Sequence, residues 1–260
     1  MSSAQAQVQL CIDGAVAHVV LSHPGKFNAM SRAMWAALRD VFVGLQDNPL
    51  LRCVVVRGEG GHFCAGGDIS EYPSFRFDEA ALRNFHETEV WGGLSAMLAC
   101  DVPLVAFIEG NCMGAGLEIA SCCDIRWAMP QAKFGAPIAK LGFPMAPREA
   151  ALVSGALGNT LARQLLLEAA VLDAHTLLAR GFLSGLLADE PRLAGEQLAA
   201  RVARLCELGP ACARLNKQTL RSLAGREPDT ALLAQAYSYA NSPEHREGIE
   251  AFLNKRSPVF

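Results

Sequence analysis

The sequence lacks the marks of several protein classes. Its 260 residues contain no CxxC pair, and the nine cysteines are scattered without a matching histidine cluster, so we expect no metal site. The 23 lysines and arginines nearly balance the 26 aspartates and glutamates, which gives a net charge of −3 and disfavours nucleic acid or an anionic membrane as a partner. No basic start followed by an apolar run opens the sequence, so we expect no secretory signal and a cytoplasmic location.

The chain also lacks a long uninterrupted hydrophobic run. Its most apolar stretches, 102–125 and 150–172, are broken by the charged residues Glu109, Glu118, Asp124, Arg163 and Glu168. A membrane span is therefore not expected. With 51% hydrophobic and 19% charged residues, the composition excludes a disordered protein, and neither an internal repeat nor a Ser/Gly linker divides the chain.

Short apolar runs bounded by turn residues predict strands over 16–21, 53–57 and 104–108. Between the first two, apolar residues spaced three and four apart predict a helix over 31–46 with Ser31 as its N-cap. This order implies a right-handed crossover and an α/β fold. From about Ala150 onward, helical spacing predicts helices over 161–167, 174–180, 193–208, 210–223 and 229–239, the last with Asp229 as N-cap. We assign 1–200 to the core and 201–260 to a C-terminal helical region.

The first segment that could carry chemistry is the glycine-rich stretch 58–69, directly after a predicted strand. Glycines at a strand end allow a ligand to approach the backbone closely. Asp68 and Glu71 also form a capping-box pattern, so a tight turn leading into a capped helix explains the segment equally well. The stretch matches neither GxGxxG nor GxxxxGK[ST], and a nucleotide-binding loop is not supported.

The second segment is 109–120, where the small residues Gly114, Ala115 and Gly116 open a predicted helix. Unpaired amides at a helix N-terminus attract an anionic oxygen. Glu118 lies on the same helix face, and helical side chains lean back toward the N-terminus, so its carboxylate should overhang those amides. Such a pairing suits proton transfer beside a carbonyl, although the helix dipole alone also favours an acid in the first turn.

These two segments belong to a series that runs through the chain: HP (23–24), NAM (28–30), FCAGGDI (63–69), GAGLE (114–118), CDIRWA (123–128), AKFG (132–135) and EGIEAFLNKR (247–256). Their order and spacing resemble the enoyl-CoA hydratase/isomerase (crotonase) superfamily over essentially the whole sequence. The resemblance implies an α/β spiral of repeated ββα turns and a C-terminal helical region that assembles homotrimers or hexamers.

The resemblance also implies a site for an acyl-CoA thioester, with coenzyme A as part of the substrate and no metal or redox cofactor. Two backbone amides, matched to Ala65 and Ala115, would stabilise the thioester enolate, and Glu118 would be the acid/base. By the same matching, the residues that would border CoA are Ala65, Gly66, Gly67, Asp68, Ile69 and Gly114, with Lys26 and Lys255 as candidates for its phosphates. Phe143, Met145 and the stretch 91–98 suggest an apolar acyl group.

One departure from the family pattern affects the predicted chemistry. Hydratases of the superfamily commonly carry a second glutamate after the proline of a Phe-Gly-x-Pro-Glu segment, where this chain has Ile138. Our main hypothesis is therefore an enoyl-CoA hydratase that uses Glu118 alone. Four alternatives remain open. Another group could supply the second proton, the candidates being His86, Glu87, Glu89 and Glu149. The reaction could instead be a double-bond isomerisation, which needs one base, or a thioester hydrolysis, or the chain could bind CoA thioesters with little catalysis.

Overall fold

The computed structural model describes residues 5–223 and 238–260. The strands in these residues are β1 (Gln7–Asp13), β2 (Val16–Ser22), β3 (Cys53–Gly58), β4 (Leu104–Ile108), β5 (Asn111–Met113), β6 (Ile125–Ala128), β7 (Lys133–Gly135), β8 (Val171–Asp173) and β9 (Gly185–Leu186). They form two sheets, a six-stranded one in the order β1-β2-β3-β4-β6-β9 and a three-stranded one in the order β5-β7-β8.

The helices of the described residues are α1 (Arg32–Gln46), α2 (Glu79–Asn84), α3 (Trp91–Ala99), α4 (Ala115–Cys122), α5 (Pro147–Leu157), α6 (Asn159–Leu167), α7 (Ala174–Ala179), α8 (Pro191–Cys206), α9 (Pro210–Ser222) and α10 (Pro243–Leu253). A π-helical turn, Phe85–Val90, joins α2 to α3, and 3-10 turns cover Ile69–Ser74, Pro137–Leu141 and Ser238–Asn241. Among these helices, none combines the length and the apolar character needed to cross a membrane.

The larger sheet carries helices on both faces. From β2 to β9 its neighbouring strands pair in parallel, and β1 pairs antiparallel with β2. Because side chains alternate along a strand, Val54 and Val56 of β3 join the main core with Leu38 of α1. Val55 instead packs in a second cluster with Leu198 of α8. Burial on both faces explains why these strands read as continuous apolar runs in the sequence.

The chain winds as a spiral of ββα turns, as the resemblance implied. β4 in the larger sheet is followed by β5 in the smaller one and then by α4. β6 is followed in the same way by β7 and the 3-10 turn Pro137–Leu141. In the turn that begins with β3, a single bridge from Cys64 to Cys112 of β5 takes the place of the second strand. This bridge brings the glycine-rich segment beside the start of α4.

The predicted strands and the helix over 31–46 are confirmed, and Ser31 caps α1 by accepting a hydrogen bond from the amide of Met34 at 3.2 Å. The helices predicted over 161–167, 174–180, 193–208 and 210–223 correspond to α6 to α9. The helix predicted over 229–239 falls almost entirely outside the described residues. The division at residue 200 falls inside α8, so the C-terminal region does not begin at a break between elements.

Partly buried polar contacts hold the C-terminal helix α9 to the core. Asp124, between α4 and β6, accepts a hydrogen bond from the amide of Leu104 at 2.7 Å and pairs with Lys217 of α9 at 2.7 Å. Lys217 also donates to the carbonyl of Val102 at 2.9 Å. A side chain of α9 therefore reaches the start of β4, directly upstream of the strand end that leads into the candidate site.

Most of the cysteines are small core residues, as expected for thiols set among aliphatic side chains. Six are buried, namely Cys53, Cys64, Cys100, Cys112, Cys122 and Cys123. Burial raises the pKa of Cys53, Cys64 and Cys123 to about 12, so these thiols stay protonated at neutral pH.

Candidate active site

The glycine-rich segment and the N-terminus of α4 lie side by side, as the sequence predicted. Cys64 donates from its amide to the carbonyl of Asn111 at 2.8 Å, and its carbonyl accepts from the amide of Met113 at 2.9 Å. A Cβ on Gly116 would lie 2.8 Å from the Cys64 carbonyl oxygen, so only glycine lets α4 approach this closely. Both segments line one cavity of about 380 Å³.

The backbone amides of Gly67 and Ala115 border this cavity and have no acceptor within the described residues. Gly67 forms a parallel bridge with Met30, in which the Met30 amide donates to the Gly66 carbonyl and the Asp68 amide donates to the Met30 carbonyl, each at 2.8 Å. That pattern turns the N–H of Gly67 itself away from Met30. The second free amide is that of Ala115, the first residue of α4, where no intrahelical acceptor exists.

The prediction for the Ala65 amide needs correction. Ala65 lines the cavity, but its N–H donates to the carbonyl of Phe27 at 3.0 Å and is already used. A cavity amide with a free hydrogen lies two residues further on, at Gly67. We therefore take Gly67 and Ala115 as the candidate pair of amide donors.

Glu118 lies one turn into α4 and lines the same cavity. Its side chain is almost fully buried, with 6% of the residue exposed. Burial, together with the negative charge of Glu149, raises the pKa of Glu118 well above its ordinary value. A carboxyl in this position can hold a proton at neutral pH and release it to a bound molecule.

Glu149 brings a second buried carboxylate to the cavity. Ile138 lines the wall with a side chain that cannot transfer a proton. Glu149 lies in the first turn of α5, is 3% exposed, and faces the same cavity as Glu118. Its Oε1 lies 2.7 Å from Nδ1 of His86.

His86 connects Glu149 to an arginine. A carboxylate only accepts hydrogen bonds and a guanidinium only donates them, so the contacts of His86 fit the tautomer with its proton on Nδ1. Nδ1 then donates to Glu149, and Nε2 accepts a weak contact from Arg76 at 3.4 Å. The π-helical turn Phe85–Val90 carries His86 to the cavity, a position that such turns often occupy at functional sites.

Of the four candidates for a second proton donor, the structure therefore brings His86 and Glu149 together in the cavity. The other two, Glu87 and Glu89, do not line it. Glu87 pairs with the exposed Arg148 at 3.2 Å, and Glu89 pairs with Arg32 at the start of α1.

The residues predicted to border CoA divide into two groups. Gly66, Ile69 and Gly114 line the cavity together with Ala65 and Gly67. Asp68 instead caps the 3-10 turn Ile69–Ser74, and Lys26 is bound to Asp68 at 2.7 Å and to Ser70 at 2.8 Å. Glu71 accepts from the amide of Arg32 rather than completing the capping box. Lys255 is exposed after α10 and does not line the cavity.

The remaining wall of the cavity is mostly apolar. Phe143 and Met145 line it, as predicted, whereas the stretch 91–98 does not; Trp35 and Val90 contribute instead. Sequence reasoning missed Tyr72 and Arg76, which also line this wall. Neither belongs to a recognisable motif, because the short segment that carries them reaches the cavity only through the fold.

Comparison with known proteins finds relatives that match nearly the whole chain. The family model for enoyl-CoA hydratase/isomerase matches residues 12–260. The chain is 31% identical to cyclohexa-1,5-dienecarbonyl-CoA hydratase of Thauera aromatica, over 98% of this chain and 96% of that one. It is 26% identical to crotonyl-CoA hydratase of Syntrophomonas wolfei, over 94% of each. Its fold matches the solved enoyl-CoA hydratase/carnithine racemase of Magnetospirillum magneticum with a TM-score of 0.92 at 32% identity, covering 97% of this chain and 94% of that one.

Proposed function

Because the chain belongs to the enoyl-CoA hydratase/isomerase family and is an acyl-CoA enzyme of that family, we propose that it is an enoyl-CoA hydratase in which Glu118 is an acid/base group. One observation carries this proposal. Two buried carboxyl groups, Glu118 and Glu149, face one cavity beside the free amides of Gly67 and Ala115. Hydration requires one proton to leave water and another to reach carbon, and two carboxyl groups can divide that work.

The proposed proton transfers follow from the surroundings of each carboxyl group. Glu149 accepts the hydrogen bond of His86 and acts as the base that takes a proton from water as the water oxygen adds to the β-carbon. Electrons move from the double bond toward the thioester oxygen, where the amides of Gly67 and Ala115 stabilise the negative charge. Glu118, whose raised pKa favours the protonated form, then donates a proton to the α-carbon. The two carboxyl groups exchange a proton through solvent to restore the starting state.

The two alternative functions, isomerisation and CoA-thioester binding without catalysis, need fewer carboxyl groups than the cavity contains. A double-bond isomerase moves one proton between two carbons and needs a single carboxylate, which Glu118 could provide without Glu149. A protein that only binds CoA thioesters needs neither. The buried position of Glu149 and its contact with His86 therefore favour hydration.

Turnover of a panel of 2-enoyl-CoA and 3-enoyl-CoA thioesters tests the proposal, with products identified by mass. We expect addition of one water to a 2-enoyl-CoA, and a loss of about 10²–10⁴-fold in kcat for Glu118→Gln and for Glu149→Gln. Glu87→Gln is the matched control, because Glu87 is a nearby carboxylate outside the cavity, and it should retain wild-type turnover.

Each other outcome points to a different mechanism or function. If only Glu118→Gln loses activity, the hydratase uses a single glutamate. A product of unchanged mass with a shifted double bond would make the chain an isomerase. Binding without turnover of any thioester would leave a CoA-binding protein. Assembly as a homotrimer or hexamer remains a prediction, and a sedimentation experiment that finds only a 27.7 kDa particle would refute it.

A further inference from the structure

Arg76 places a positive charge in the wall of the acyl cavity. It follows the 3-10 turn Ile69–Ser74, and its backbone amide donates to the carbonyl of Tyr72 at 2.8 Å. The central carbon of its guanidinium lies 3.5 Å from the ring centre of Phe143 and 4.5 Å from that of Tyr72. Rings packed against a guanidinium cover its faces and leave the N–H groups at its edge free to donate.

Those N–H groups have few partners in the protein. Within residues 5–223 and 238–260, no carboxylate pairs with Arg76, and its one side-chain polar contact is the weak one to His86 at 3.4 Å. The neighbouring arginines differ, because Arg32 pairs with Glu89 and Arg148 with Glu87 outside the cavity. None of the unpartnered nitrogens of Arg76 is sealed from solvent, and the residue lines the cavity.

The two carboxylates of the cavity do not neutralise this charge directly. Glu149 contacts Nδ1 of His86 and Arg76 contacts Nε2, so the imidazole ring separates the carboxylate from the guanidinium. Burial also lowers the pKa of Arg76, because the neighbouring groups do not compensate for the hydration that the cation loses. The guanidinium nevertheless stays charged at every working pH.

We propose that Arg76 binds a carboxylate at the far end of the acyl group, so that the substrate is the CoA monothioester of an unsaturated dicarboxylic acid. A planar guanidinium with free edge N–H groups is suited to bidentate binding of a carboxylate. Phe143 and Met145 would contact the carbon chain between the thioester and this terminal charge. The inference rests on the proposed function for the reacting end of the substrate, but the binding of the far end can be measured without any reaction.

Calorimetric titration of the wild-type protein with saturated, unreactive thioesters tests the proposal. The probes are pairs of equal acyl length that differ only in a terminal carboxylate: butyryl-CoA and succinyl-CoA, hexanoyl-CoA and adipoyl-CoA, octanoyl-CoA and suberoyl-CoA. We expect the carboxylate member to bind about 10- to 100-fold more tightly in at least one pair, as for hydrogen bonds between charged groups. Equal or tighter binding of the alkyl member at every length would overturn the proposal, whether or not the protein hydrates any enoyl-CoA.

Substitution of Arg76 assigns the preference to this residue. In Arg76→Gln, the two members of the preferred pair should bind equally tightly. Arg76→Lys should keep part of the difference in affinity, because it keeps the charge but not the bidentate geometry. The control is Lys140→Met, which removes an exposed cation that also lines the cavity. The difference in affinity should survive in this control. If Lys140→Met abolishes it and the Arg76 variants do not, or if the Arg76 variants weaken both members equally, Arg76 is not the carboxylate site.

Discussion

A single methyl group on Gly67 would test which amide serves the candidate oxyanion site. The Cβ of Gly67→Ala would lie 2.3 Å from the hydroxyl oxygen of Tyr72, whereas non-bonded heavy atoms prefer a separation of about 3.5–4.0 Å. The Tyr72 ring cannot simply swing aside, because it packs against Phe75, Phe143 and Arg76. The backbone of Gly67 does not occupy the left-handed region, so alanine can adopt its conformation and the expected effect is steric.

The size of the effect follows from this overlap. Crowding of a packed site costs about 1–3 kcal/mol of stability, and displacing one oxyanion donor costs about 10²–10³-fold in kcat. We therefore expect Gly67→Ala to lose at least about 10²-fold in kcat, with a modest fall in the free energy of unfolding. Adding Tyr72→Phe removes the hydroxyl oxygen, after which the nearest ring atom lies 3.3 Å from the new Cβ. The double variant should recover most of the lost activity.

The assay is steady-state hydration of a 2-enoyl-CoA, with urea unfolding of every variant. Tyr72→Phe alone sets the baseline, since the Tyr72 hydroxyl has no hydrogen-bond partner in the described part of the protein. Gly155→Ala is the control for the chemical change itself, because nothing lies within 4 Å of its added methyl group. Wild-type kcat in a folded Gly67→Ala variant would refute the assignment of this amide. A double variant as inactive as Gly67→Ala would refute the proposed clash with Tyr72.

Two further predictions concern stability. Because the folded state raises the pKa of Glu118 above its ordinary value of 4.5, the contribution of this group to stability is fully present below about pH 4.5 and declines as the pH rises toward the raised pKa. Across that window, Glu118→Gln should therefore gain stability relative to wild type, by at most about 1.4 kcal/mol per pH unit. If the difference between the two free energies of unfolding in urea does not change with pH, the pKa of Glu118 is not raised. Ser31→Ala should lower the free energy of unfolding by about 1 kcal/mol through loss of the α1 cap, with Ser31→Thr largely restoring it; equal thermal stability of Ser31→Ala and wild type would show that the cap contributes nothing.

The parts of the site that the sequence predicted are those that depend on local pattern. Small residues at a helix start and an acid one turn later fix the relation of Ala115 to Glu118 within a few residues of chain. The choice between Ala65 and Gly67 is different, because it depends on which peptide groups pair with Met30 and Phe27 across the fold. Local pattern identified the glycine-rich segment as part of the site but could not select its free N–H.

The contact between His86 and Glu149 also could not be predicted from the local sequence pattern. The two residues are 63 positions apart, one on a π-helical turn and the other at the start of α5. The sequence offered weak signals for each, a lone histidine and an acid in a first helical turn after Pro147, and both features are common on protein surfaces. Only the burial of Glu149 and its contact with His86 separate it from Glu87 and Glu89, which pair with arginines outside the cavity.

The cavity thus lacks a carboxylate at Ile138, where hydratases of the superfamily commonly carry one, and has a buried carboxylate at Glu149 instead. Two buried carboxylates in one cavity do not both ionise at low cost, so a neighbour that favours the charge of one leaves the proton on the other. His86 donates to Glu149, and within the described residues no side chain donates a hydrogen bond to Glu118. In the proposed hydration, this difference in hydrogen bonding favours Glu149 as the base and Glu118 as the acid. Exchanging His86 for a residue that cannot donate should therefore shift the pH dependence of kcat, and not only its magnitude, because it removes the asymmetry between the two carboxyl groups.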